Sequence, residues 1–164
     1  MPAITKLQIG VISGSVVLGV LLFFAPRGTM SSATKEENQK ATAEKISVNA
    51  EIDSAIALVN GAAPMKGILM LREIAEENPD NARAQFQLGV FSMQSGQYPK
   101  ALERFKTVLE IDSNFAEAKL FMGHAHASLG DTTEAIKNFE LFQTSVQDEK
   151  VREEVERYIK ELTK

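Results

Sequence analysis

Residues 81–142 read NARAQFQLGVFSMQSGQYPKALERFKTVLEIDSNFAEAKLFMGHAHASLGDTTEAIKNFELF, and the second half of this stretch repeats the first. Gly89, Gly96, Ala101 and Phe105 return 34 residues later as Gly123, Gly130, Ala135 and Phe139. The same shift lays Ala82 on Ala116, Ala84 on Ala118, Leu88 on Met122 and Leu102 on Ile136, so small residues fall on small and large on large. A fixed period of this length marks a repeated supersecondary unit.

Each unit reads as two antiparallel helices. Asn81 to Ser95 lacks Pro and carries apolar residues at helical spacing; Gly96 then ends it, and Pro99 lies in the first turn of a second helix reaching Ile111. Gly89 and Ala101, with their equivalents Gly123 and Ala135, are placed where the two helices of a pair come closest. Gly96 and Gly130 fall where a helix ends in a left-handed residue, a conformation that glycine adopts without strain.

Leu88-Gly89, Gly96, Tyr98, Ala101 and Phe105, then Met122-Gly123, Gly130, Ala135 and Phe139, resemble the signature of the tetratricopeptide repeat. The resemblance implies an all-α superhelix of about three helix-turn-helix repeats. It departs from the family pattern early in the first helix, where Gln85 and Lys119 replace an aromatic residue. It departs again in the inter-repeat turn, where Ser113 of Asp112-Ser113-Asn114 replaces Pro.

One further period back, Ile52, Ile56, Gly67, Leu71 and Ile74 stand at the places of Phe86, Val90, Ala101, Phe105 and Val108, and Asn78-Pro79-Asp80 closes the unit. The domain of residues 45–164 is therefore expected to hold repeats at about 48–81, 82–115 and 116–147, the first of them degenerate. A helix over 148–163 follows. Asp148 caps it, and Val151, Val155, Tyr158, Ile159 and Leu162 form one apolar face, as the terminal helix of a repeat stack requires. Glu153 to Arg157 and Glu156 to Lys160 are i,i+4 pairs in the favourable order.

Leu7 to Ala25 is a run of 19 residues without a charge, close to the roughly 20 that cross a bilayer as a helix. It exceeds the apolar core of a cleaved signal peptide and lacks a small-x-small site at Ala25-Pro26-Arg27. Residues 1–26 are therefore expected to be an uncleaved single-pass anchor. A short leader with Lys6 ahead of a long folding domain favours a cytoplasmic amino terminus and a periplasmic repeat domain. Gly10 and Gly14 form a G-x-x-x-G through which two anchors can self-associate. Residues 27–44 are polar and poor in bulky side chains, a partly helical linker.

The 164 residues carry a net charge of −4, with no basic stripe, which excludes a phosphate-backbone ligand. Cysteine is absent, which excludes disulfides and thiolate chemistry. No metal-ligand, phosphate-loop or nucleophile-elbow motif is present, so neither an enzyme nor a cofactor protein is expected. His124 and His126 point about 200° apart on a helix and cannot share a metal. They are expected to be one packed and one surface imidazole.

What remains is a second apolar stripe. Ala84, Leu88 and Phe91 form one, and Phe86, Val90 and Met93 another that faces nearly the opposite way. The family resemblance implies that the second stripe lines a concave groove for a partner peptide or helix. Its counterparts are Ile52, Ile56 and Val59 in the first repeat, and Leu120, His124 and Ala127 in the third. The clamp of Lys, Asn and Arg with which some members hold a terminal carboxylate is not matched, Arg83 being the nearby base. The layout points to a membrane-anchored scaffold, or to an accessory subunit of a membrane enzyme assembly such as cytochrome c maturation, whose anchored repeat proteins it resembles. The full chain is expected to remain with membranes through a carbonate wash, and a chain starting at Lys35 to be soluble. Release of the full chain by the wash contradicts the anchor.

Overall fold

The computed structural model describes residues 32–164, with side chains from residue 38 onward. The expected anchor and the Gly10/Gly14 motif lie outside the described residues, among which no helix is long and apolar enough to cross a membrane. Seven helices and no strands are described: α1 (Ser32–Val59), α2 (Pro64–Glu77), α3 (Ala82–Gln94), α4 (Tyr98–Ile111), α5 (Ala116–Ser128), α6 (Thr132–Ser145) and α7 (Glu149–Leu162). The chain divides into two units, residues 1–45 and 46–164. In the first, the described residues are helical from Ser32, with exposed side chains over 38–45. The second holds the helix pairs.

Local chemistry sets the ends of these helices. Pro64 and Pro99 sit in the first turns of α2 and α4, where a missing N–H leaves no bond unmade. Asn81 and Asp131 accept from the backbone N–H groups of Ala84 and Glu134 at 3.0 and 3.3 Å, and Asp148 accepts from that of Lys150 at 2.9 Å. Gly96 and Gly130 turn the chain between helices at φ 71° and 79°. An L side chain there would be strained, so both turns depend on glycine.

Within the second and third pairs, the first helix lies flat against a ring. A Cβ on Gly89 would stand 2.5 Å from Phe105 Cε1, and one on Gly123 would stand 2.5 Å from Phe139 Cε1. Both rings are fully buried. The first pair solves the same approach with the sizes exchanged. Its first helix carries Ala55 and its second Gly67, where a Cβ would fall on the Ala55 carbonyl and on Val59, and Leu71 takes the place of the phenylalanine.

The core lies between units as well as inside them. Ile52 and Ala55 of α1, Leu71 and Ile74 of α2, and Ala84, Leu88 and Phe91 of α3 form one cluster. Ala101, Phe105 and Val108 of α4 join Ala118, Met122 and Ala125 of α5 in the next. Ala135, Phe139 and Phe142 of α6 close on Val155 of α7 in the third. Thus the Ala84 stripe packs backward onto the preceding pair. Ile52 is 0% exposed in that first cluster, a correction to its expected place on a partner surface: α2 and α3 together enclose it. On α7, Lys160 pairs with Glu156 at 2.7 Å as expected, whereas Arg157 reaches Glu154 at 4.0 Å instead of Glu153.

Adding a single methyl group at Gly123 is expected to lower the unfolding free energy by about 1–3 kcal/mol, because the Phe139 ring must move. Combining Gly123→Ala with Phe139→Leu should cost less than the two changes summed, since the smaller side chain vacates the contact. Additive losses in urea unfolding would mean that the ring and the glycine do not share a contact.

Candidate partner-binding face

The second stripe of α3 begins inside an aromatic cluster. Phe86 stands 5.7 Å from Phe105, 5.0 Å from Phe115 and 5.3 Å from Phe121, centroid to centroid, the last pair edge-on. Phe86 is therefore a half-buried wall residue with rings on three sides, where the sequence had suggested an open lining. Such pairs contribute roughly 0.5–1.5 kcal/mol each beyond area burial. Phe115 and Phe121 stand outside the repeated positions and were missed for that reason. The one signal was composition: Phe105, Phe115 and Phe121 crowd a segment that must wrap onto Phe86.

The rings continue along α5. His124 lies 6.4 Å from Phe121, 5.1 Å from Phe139 and 5.3 Å from Tyr158 of α7, and Phe139 meets Tyr158 at 90°. Burial among these rings holds the His124 imidazole below its ordinary pKa, since the charged form loses its hydration without gaining a partner. His126 is the contrary case. Its Nδ1 lies 3.3 Å from Asp131 Oδ2 with the side chain 15% exposed, so the expected surface imidazole is largely covered by the turn that ends its own helix.

Val90 and Met93 pack half-buried against the second cluster, while Leu120 and Ala127 do so against the third. Ile56 and Val59 are likewise half-buried against the first. Phe86, Phe121, His124 and Tyr158 thus form a seam of successive ring contacts from α3 over α5 to α7. Val90 and Met93 lie half-buried on the second cluster and Leu120 on the third, while Ile52 is enclosed in the first. Beside Leu120 and His124 the seam opens into a cavity of about 270 Å³ walled by Phe139, Phe142 and, on α7, Val151, Glu154, Val155 and Tyr158. The cavity's surface is mostly apolar, with the Glu154 carboxylate as its one acidic group.

Arg83, the nearby base, is already engaged. It pairs with Asp53 and donates to the Asn49 carbonyl at 3.3 Å, tying α3 to α1. Among the described residues no group of three or more His, Asp or Glu side chains converges on a metal-sized point.

Residues 61–155, more than half of the chain, match the tetratricopeptide repeat family. The chain belongs to that family. The matching segment starts at Gly61 in the turn after α1, which fits the degenerate character of the first pair. No curated protein matches the chain by sequence. Among solved structures it is similar to the Yersinia enterocolitica type III secretion translocator chaperone SycD, with a TM-score of 0.66 and 12% identity over 73% of this chain and 85% of that one. It is similar also to the Arabidopsis OM64 tetratricopeptide repeat domain (TM-score 0.62, 17% identity, 70% and 95% covered). A third is the TPR2B domain of yeast Sti1, solved as a complex with pHsp70 (TM-score 0.60, 14% identity, 71% and 94% covered). At such identities the likeness is one of fold.

The departure from the family pattern in the first helix of the repeats has a structural answer. Gln85, only 5% exposed, accepts from Arg104 Nη1 at 2.6 Å, and Lys119 Nζ donates to Ser145 Oγ at 2.9 Å. A polar tether from the first helix to the second thus stands where the family packs an aromatic ring.

Because the folded-state pKa of His124 lies below the unfolded value near 6.5, the unfolded chain takes up the proton first. His124 therefore contributes its full stability at neutral pH. That contribution declines as the pH falls below 6.5, until the folded pKa is reached. Thermal unfolding of wild type and His124→Phe between pH 7.5 and 5 is expected to show a smaller loss of stability in the variant. Parallel profiles would mean that the imidazole charges freely in the folded protein.

Proposed function

We propose that this tetratricopeptide repeat protein is a non-catalytic adaptor, tethered to a membrane through its N-terminal segment, that captures a segment of a partner protein on the seam formed by Val90, Met93, Leu120 and His124. The observation that carries the reading is that these side chains stay half-buried with every described helix around them in place, and that the seam ends in the 270 Å³ cavity against α7. A contiguous apolar patch left open after folding is a mark of an interaction site. The cavity is slightly smaller than the roughly 300–1,000 Å³ usual for a small molecule and suits one or two side chains of a protein ligand. The fold neighbours lend support: one is a secretion translocator chaperone and another was solved with pHsp70, so this architecture carries protein ligands in relatives. The tether rests on the uncharged run from Leu7 to Ala25, and a periplasmic repeat domain on the short Lys6-bearing leader ahead of a long folding domain, the flanking charges of Lys6 against Arg27, Lys35 and Lys40 nearly balancing.

A photo-crosslinking residue placed at Met93 or Leu120 in the full-length chain in cells is expected to trap a discrete protein adduct, and one at the exposed Lys106 to trap none. Adducts equally abundant at all three positions, or absent from Met93 and Leu120, would remove the seam as the binding face.

A further inference from the structure

A second recess lies on the side of α3 away from Met93. Phe91 and Met93 are two residues apart on α3 and so project about 200° from one another. Met93 belongs to the seam, whereas Phe91 faces α2 and forms part of a cavity of about 200 Å³ between α2, α3 and α4. One wall of this cavity is apolar: Met65 and Ile68 of α2, with Phe91. Met65 is 68% exposed, a large thioether side chain standing in solvent at the rim.

The other wall is cationic. Arg72 continues the Met65–Ile68 stripe one turn further along α2, and Lys100 and Arg104, one turn apart on α4, face it. The same three residues also line an adjoining cavity of about 270 Å³ with Ala75 and Glu76. Among the described residues none of the three has a carboxylate within 4.0 Å, although Glu76 shares the second cavity. Arg104 is held in place by its bond to the buried Gln85. In a chain of net charge −4, the two adjoining cavities are lined by three cations, Arg72, Lys100 and Arg104, against the single carboxylate of Glu76.

We propose that this notch docks an acidic segment of a partner protein, its carboxylates on Arg72, Lys100 and Arg104 and an adjoining apolar side chain against Met65, Ile68 and Phe91. Charge complementarity selects the acidic character. Size selects the kind of ligand: each cavity falls below the roughly 300–1,000 Å³ usual for a small molecule, so the occupant presents single side chains from a larger body. Guanidinium groups bind carboxylates through paired N–H donors, which makes the notch selective for acids over neutral polar segments. The chain then has two independent protein-binding faces, apolar along α3 and α5 and mixed basic-apolar between α2 and α4.

The test selects a phage-displayed random peptide library on the full-length chain, with subtraction on a variant carrying Arg72→Glu and Lys100→Glu. Both positions are exposed, so the variant should melt like wild type. The surviving peptides are expected to carry Asp or Glu beside an apolar residue. In fluorescence anisotropy, one such labelled peptide should bind the double variant at least about tenfold more weakly and lose affinity as salt is raised. Met65→Asp should weaken the same peptide, and Lys106→Asp, at an exposed position two residues on from Arg104 and so turned away from the notch, should not. The proposal fails if no peptide survives subtraction, if the survivors are not acidic, or if the charge reversals leave binding unchanged. It fails also if inorganic phosphate displaces the peptide with matching affinity, making the notch a simple anion site. Self-association abolished by the same substitutions in sedimentation would assign the notch to a second copy of the chain and overturn the proposal as stated.

Discussion

Everything in the described stack depends on how closely two helices approach within a pair. At Gly89 and Gly123 the missing side chain lets a phenylalanine ring lie where a Cβ would stand, 2.5 Å from a ring carbon. That contact draws α3 onto α4 and α5 onto α6, and the ring it buries becomes the centre of the core shared with the next helix. Packing at interior density tolerates little change at such a point, because neighbouring atoms have nowhere to go. The first pair obeys the same constraint through Ala55 and Gly67, so the spacing is retained although the residues that create it have changed places.

Much of this was legible because the steric requirements repeat. Gly96 and Gly130, Ala101 and Ala135, and Phe105 and Phe139 announce themselves by recurring, and each occupies the structural place its chemistry suggested. The two stripes on α3 were legible as directions, since helical periodicity fixes which residues share a face. How far a neighbouring helix closes over a face is a different quantity. Phe86 and Ile52 show the difference: the first is walled by rings from α4, α5 and the turn before it, and the second is enclosed outright. Neither Phe115 nor Phe121 has an aromatic counterpart one period earlier, where Asn81 and Gln87 stand, so repetition could not point to them. The basic notch escaped for a related reason. Arg72, Lys100 and Arg104 come from two repeats and line one recess only because α2, α3 and α4 surround it together.

The polar substitutions inside the stack matter for the electrostatics. Gln85 and Lys119 replace rings with hydrogen bonds to the partner helix, and the Gln85 bond also fixes Arg104 at the edge of the notch. A buried amide with a satisfied partner costs little, whereas the same amide left alone would cost roughly 1–3 kcal/mol. Core and surface are linked at this point, because the group that satisfies the interior is one of the three cations offered to solvent. On the other side of α3 the equivalent link is His124, whose neutrality follows from the rings around it.

Each hydrophobic cluster draws residues from a pair and from the first helix that follows it. During synthesis, then, no cluster is complete when its own pair has left the ribosome; it waits for the next helix. The nascent chain exposes one unfinished apolar end throughout elongation, and that end moves forward by one unit at a time. Among the described helices α7 arrives with one apolar face and a charged back, and so covers the surface that α5 and α6 leave open. Until it emerges, the growing chain carries a sticky terminus of the kind that chaperones and misassembly compete for.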